Sequence, residues 1–411
     1  MTGGSNIGIG YQAMYGNGTN PTGQHNIAIG REALHDVSTG DRNIAIGNYA
    51  LDKNTTSSNN VAIGYDALGN QTTSPENTAV GHNALKNCTT GFGINVAVGK
   101  DAMRSTTTGS NNVAVGYRTL YNNTVNAFNV AIGKEALYNN TQNSNVAVGY
   151  HALRTTTTAT QQTAVGTQAL ENATGASNSA FGYESLKANT VGVTNIAFGA
   201  SSMLSNTTGS NNTGIGVNAL RLFTIASNNT AVGSGALYGA SGSTGGNNVA
   251  VGYNSLLSNT TGTDNVAVGT SALDACTTGS NNTAIGRNAL GAATTSSANT
   301  VVGSVAGDAI TEGDGNALVG YGAGTSLTTG SNNVAVGKLA FRYNQTGDSN
   351  VAIGTDAVKQ MTGSNNIGIG HEAMQGGSSS QTGQKNIAIG HSALHDLTSG
   401  GSNIAIGDNA L

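Results

Sequence analysis

Apolar residues return in a short alternating burst about every 17 positions: a β-branched residue, a small residue, a second β-branched residue and a glycine. Val113-Ala114-Val115-Gly116 and Val130-Ala131-Ile132-Gly133 are typical. A period of two predicts a strand with one buried face. Two variable residues and an Ala-Leu pair follow, as in Ala67-Leu68, and then a polar stretch that often reads Thr-Thr-Gly-Ser-Asn. The glycines run from Gly10, Gly30 and Gly47 to Gly407 in 24 copies. Such tight spacing suits the coils of a solenoid, in which each repeat touches only its neighbours.

A column that keeps one residue type down the copies is under one physical constraint. The residue before the glycine is Val, Ile or Phe throughout, and is read as the core column: Ile63, Val98, Val115, Ile132 and Ile353. Alternation then points the intervening residue away from that core. It is Ala in 19 copies, Gly in three (Gly8, Gly214, Gly368), and Val301 and Leu318 in the others. A small residue held so uniformly is expected to pack against another chain, which assigns Ala62, Ala97, Ala114, Ala131 and Ala147 to a side-by-side homotrimer.

The invariant glycines, among them Gly64, Gly99, Gly116, Gly133 and Gly354, are read as corners with positive φ or crowded backbone. The Asn opening the motif, as in Asn60, Asn95, Asn112, Asn129 and Asn350, is expected to form a stacked amide ladder. Gln162 is its one exception in 24 copies. The two columns after the glycine vary freely and are expected to face solvent, with Tyr65, Tyr117, Tyr150, Tyr183 and Tyr253 as exposed contact residues.

The predicted fold is therefore all-β, a parallel β-solenoid of about 24 coils of ~17 residues, running through 1–411 as one domain. Burial of one Leu contributes only roughly 1.5–3 kcal/mol, so a coil needs its neighbours. Stacked at ~4.8 Å, the coils would reach roughly 115 Å. Residues 1–51 and 361–411 align at an offset of 360 with 31 identities, so 1–360 reads as one super-repeat of 21 coils and 361–411 as the start of a second; either the chain is an excerpt of a longer repetitive protein or the duplication marks where copies were joined. The longest insertions, Tyr15 to Gln24 and Gln375 to Gln384, are equivalent, and a lesser one spans Gly239 to Gly246. Val301 and Leu318, with Gly307 and Gly324 where Leu normally sits, suggest a local kink or loosely packed turn.

Without the period, 61 Gly, 9% charged residues and no Trp would describe a low-complexity linker. A net charge of -4, spread rather than blocked, gives no footprint for nucleic acid or anionic membrane. No apolar run reaches the length of a membrane span, and export and anchoring are expected to be encoded elsewhere. Cys88 and Cys276 occupy one column 11 coils apart, on the order of 50 Å, too far to pair, and read as packing substitutes for Ala or Ser.

The NVAVG and NIAIG segments followed by Ala-Leu resemble, over the whole chain, the head repeats of YadA-like trimeric autotransporter adhesins and the repeat arrays of phage tail-fibre shafts and bacterial surface fibres. The resemblance implies a left-handed β-roll, three chains about an axis, and an extracellular, cell-surface or virion-surface location. It implies a structural or adhesive role without catalysis: a stiff, multivalent rod that binds itself side by side and a glycan or protein receptor; the exposed strand edges at the ends of the stack, which flanking sequence or another copy must cap, add end-to-end joining as an expectation.

Candidate chemistry is sparse. His391 and His395, with Asp396, come nearest to a metal cluster, but the spacing matches no known ligand pattern and surface histidines are expected. Gly313-Asp314-Gly315-Asn316 lacks the nine-residue repeat of calcium β-rolls. No nucleophile elbow or paired carboxylates stand out, so neither catalytic residue nor cofactor is assigned. Asn54, Asn206 and Asn259 begin Asn-x-Thr sequons that composition alone can produce. The alternative from another class is an ice- or surface-binding solenoid using ladders of Thr55, Thr107, Thr207, Thr260 and Thr278 or of Asn, but those Thr pairs shift between copies.

Overall fold

Each repeat closes into one turn of a parallel β-solenoid. The computed structural model describes residues 3–16, 21–376 and 381–411. The described residues hold 24 strands of three residues each, from β1 (Ile7–Ile9) to β24 (Ile404–Ile406), and no helix. Two compact units are present, Met1–Ser201 and Ser202–Leu411, each with twelve strands. Within a unit every strand pairs in parallel with the next copy of itself, in the register of the repeat: Ala45 lies opposite Ala62, and Ala114 opposite Ala131. Because one repeat makes one turn, residues of one column stack directly on one another.

The strand faces the opposite way from the sequence expectation. Ala62, Ala97, Ala114, Ala131 and Ala147 are fully buried in the coil's own interior and are unavailable to a second chain. The supposed core column lies outside: Ile63, Ile132 and Ile353 are 38%, 40% and 38% exposed, and Val98 and Val115 are half-buried. The reason is space. The turn after each glycine sends its Ala-Leu pair inward, and Leu68, Leu120 and Leu137 are wholly buried there. A three-residue strand brought against that Leu leaves room for a methyl group and little more.

Substitutions along the stack confirm the fit. Where the strand carries Val301 or Leu318, the Leu position is Gly307 or Gly324, and a Cβ on Gly307 would lie 3.1 Å from Leu318 Cδ1. Gly214 faces Met203, whose Cγ would lie 3.0 Å from an added Cβ, while Gly368 lies against Val358, a smaller residue than the usual Leu. Val301 and Leu318 are themselves fully buried. The irregularity is thus a volume exchange across the core, not a loose turn, consistent with interiors that are close-packed.

The Asn column forms the expected ladder, inside the coil. Along the column the Oδ1 accepts from the main-chain N–H of the next Asn, and at many rungs from its Nδ2 as well, at 3.0 and 3.0 Å from Asn60 to Asn43 and 2.9 and 3.2 Å from Asn129 to Asn112. The pairs headed by Asn95, Asn112 and Asn350 repeat the geometry. The other Nδ2 proton reaches a main-chain carbonyl, as from Asn95 to Gly109 at 2.9 Å. A buried amide so satisfied adds register without leaving an orphan group.

Gln162 breaks this pattern. Its N–H still donates to Asn145 Oδ1 at 3.0 Å, but the extra methylene displaces the carboxamide, and Oε1 and Nε2 are buried without a partner. Since an unsatisfied buried polar group costs about 1–3 kcal/mol, Gln162→Asn is expected to stabilise the unit by that order. The urea midpoint of the variant checks this: an unchanged or lowered midpoint would mean that the longer amide is already accommodated.

The corner glycines combine both constraints foreseen for them. Gly64 has φ of +135°, and a Cβ there would sit 2.7 Å from the carbonyl carbon of Gly81 on the next coil. Ordinary residues also enter the left-handed region three times per coil, as at Asp66 (57°), Leu68 (52°) and Glu76 (59°). This conformation costs roughly 1–2 kcal/mol per residue. It is offset because these amides bond across coils, Asp66 to Asn48 O, Leu68 to Ala84 O and Glu76 to Ser58 O, at 3.0–3.1 Å.

Candidate functional site

With the Ala side of the strand closed, each coil presents three outward surfaces. The first is the outer sheet face, made by the first and third strand residues. In the unit Met1–Ser201 it includes Ile29, Ile46, Ile63, Val96 and Ile132, each 36–40% exposed, and Phe198 at 55%. Ile215, Ile285, Val319 and Ile353 continue the same columns in the other unit at 38–41%. This surface holds the residues that sequence reasoning had put in the core.

The second surface follows the glycine corner. Tyr65, Tyr150, Tyr183 and Tyr253 are exposed as expected, and Tyr117 is half-buried. Rings on successive coils meet: Tyr65 stacks on His82 with centroids 5.3 Å apart, and Tyr121 on Tyr138 at 5.2 Å. Charges alternate beside them. His151 lies between Glu135 and Glu171, 3.2 and 3.3 Å away, and Arg154 Nε donates to Glu135 Oε2 at 3.0 Å. Partial burial pushes the Glu135 carboxyl up, but Arg154 and its neighbours outweigh this and hold it below the usual range. Burial raises Asp274 and Asp308, which flank the bare position of Gly291. The Glu135, His151, Arg154 and Glu171 contacts tie coil to coil.

The third surface is the Thr-rich turn. Thr72 Oγ1 donates to Thr89 O at 2.8 Å, Thr260 to Thr277 O at 2.8 Å and Thr277 to Thr294 O at 3.0 Å. These hydroxyl protons are engaged within the solenoid. The Asn residues of the sequons are buried too: Asn54, Asn206 and Asn259 are 0–2% exposed, and Asn54 Nδ2 donates to Ser57 O at 3.1 Å.

Metal-ligating groups gather elsewhere than expected. His395 Nδ1 pairs with Asp396 at 2.9 Å and Nε2 with Gln375 at 2.6 Å, while His391 turns to Asp408 at 2.9 Å. Among the described residues, the trio that could offer three ligand atoms within 4.8 Å of one another is His371, Glu372 and His391, on adjoining coils. The two His rings are stacked, 5.3 Å apart. Cys88 and Cys276 are free and fully buried, and burial pushes the Cys276 thiol up to about 11. Both belong to the column that elsewhere carries Ile310 and Leu327, also fully buried, which agrees with a packing role.

A concave feature occurs beside the insertion Gly239 to Gly246, a groove of about 530 Å³ lined by residues that include Tyr238, Tyr253, Asn218 and Asn254. The two longer insertions fall partly outside the described residues, at 17–20 and 377–380. Among the described residues no helix is long and apolar enough to cross a membrane.

These features define the class, an all-β parallel β-solenoid built from one repeat. The chain matches no known family and no curated protein.

Proposed function

We propose that this chain is a segment of a structural or adhesive fibre at a cell or virion surface, in which copies pack side by side through the Val/Ile sheet face. The exposed β-branched columns carry this reading. They run through all twelve strands of a unit with residues such as Ile29, Ile46, Ile63 and Ile132 36–40% exposed, and a contiguous apolar face of that kind is rare on a monomer. A face of like, regularly spaced residues suits a second copy of itself as its cover, and three copies about an axis close the arrangement without leaving a free face. Each unit is then a stiff stack whose solvent columns, repeated many times, act by avidity. The engaged Thr hydroxyls support this reading over the ice-binding one.

Solution mass tests the proposal. The native chain is expected to sediment at three times its 40.8 kDa. The triple variant Val115→Glu, Ile132→Glu and Val148→Glu is expected to sediment as a monomer with an unchanged β circular dichroism spectrum. A native particle of single-chain mass would refute lateral packing.

A further inference from the structure

The groove in the second unit combines a missing side chain on the corner surface, a gap it shares with Gly322, with an adjoining insertion that Gly322 lacks. In the column two residues after the corner glycine, neighbouring coils carry Asn218 and Asn254, whereas the intervening coil carries Gly235. A Cβ on Gly235 would collide with Asn254 Oδ1, so the absent side chain opens space between the two amides. The insertion supplies one wall, with Gly239 and Ala240 in the lining, and the loop is held in place. Ser243 Oγ accepts from Ala240 N at 2.8 Å and donates to Asn259 O at 3.1 Å, and Phe223 bridges to Ser243.

The lining is chemically selective. It contains two aromatic rings, the amides of Asn218 and Asn254, the hydroxyls of Ser234 and Ser258, and no Asp, Glu, Lys or Arg. Tyr238 is fixed by Arg221, whose Nη1 donates to its hydroxyl at 2.9 Å while the guanidinium lies 5.7 Å from the ring centroid. Tyr253 is 59% exposed, leaving its ring open to a ligand. Aromatic faces offer an apolar platform with polar edges, and carboxamides donate and accept at once. A ligand that suits both is uncharged, carries an apolar face and is ringed with hydroxyls. The volume falls within the ~300–1,000 Å³ of small-ligand pockets.

We infer that this groove binds a short neutral saccharide, of two or three sugar rings, stacked on Tyr253 and hydrogen-bonded by Asn218 and Asn254. The inference rests on the adhesive reading above and gives it a ligand class. Saturation-transfer NMR of the full chain with cellotriose, maltotriose and chitotriose tests it. At least one is expected to bind, with a dissociation constant near 1 mM, as suits one weak site in a multivalent fibre.

Tyr253→Ala is expected to weaken that binding tenfold or more. Gly235→Asn, which restores the side chain that adjoining coils carry in the same left-handed backbone conformation, is expected to abolish it. Phe92→Ala, at an 85% exposed turn residue on the other unit, is expected to leave it unchanged. Absence of binding by all three sugars, or binding that survives both groove variants, would overturn the assignment. If the chain still sediments as a trimer in that case, the fibre reading stands and the groove alone is refuted.

Discussion

Replacing Ala131 with Glu is expected to unfold the coils around it, with a loss of roughly 5 kcal/mol or more, and not merely to separate chains. Ala131 is fully buried at the centre of β8 (Val130–Ile132), stacked between Ala114 and Ala147. A carboxylate there would be desolvated without a partner, a situation that costs about 3–5 kcal/mol, and its bulk adds about 1–3 kcal/mol of overpacking. In a stack stabilised by nearest neighbours, one such fault divides the array. Limited proteolysis should cut near residue 131, and the thermal transition should split or fall. Ile132→Glu, one residue away but 40% exposed, is expected to leave the transition of the dissociated chain almost in place. Equal tolerance of both changes would mean that the strand does not bury its Ala.

The second large effect concerns a corner. Gly64→Ala places a side chain at φ of +135° with its Cβ 2.7 Å from the carbonyl of Gly81. The backbone conformation costs about 1–3 kcal/mol for a non-glycine residue, and the collision adds a comparable amount because the next coil's main chain cannot step aside. A loss of roughly 3–5 kcal/mol in urea unfolding is expected. Gly69→Ala provides the contrast: there the obstructing atom is the movable Asp66 carboxylate, and φ lies outside the left-handed region, so the loss should be far smaller. Matching losses at the two sites would remove the special status of the corner.

Sequence periodicity made the solenoid, its repeat length, the corner glycines and the amide ladder legible, because each is a constraint repeated in one column. Strand polarity was not legible from alternation, which shows that a strand has two unlike faces without saying which is inside. Hydrophobicity favoured Val115 and Ile132 over Ala114 and Ala131, yet room within the coil decided otherwise. The decisive signal was present in the compensating residues: Val301 and Leu318 accompany Gly307 and Gly324. Such coupled volumes arise only between residues that touch. The exposed tyrosines were legible as a column, but the groove was not, since it depends on Gly235 lying between two Asn-bearing coils beside an insertion that closes over it.

In the proposed fibre the outer Val/Ile face is covered by other copies of the chain. Hydroxyl-radical footprinting of the native particle reads that cover residue by residue, with labelling compared with that in a dissociated variant carrying Val334→Glu, Val336→Glu and Ile353→Glu. Protection of Ile63 and Ile132 in the native particle, with Tyr65 and Tyr150 labelled equally in both, is the expected result. Labelling of Ile63 and Ile132 to the same extent in both would contradict it and leave the Val/Ile face open to solvent.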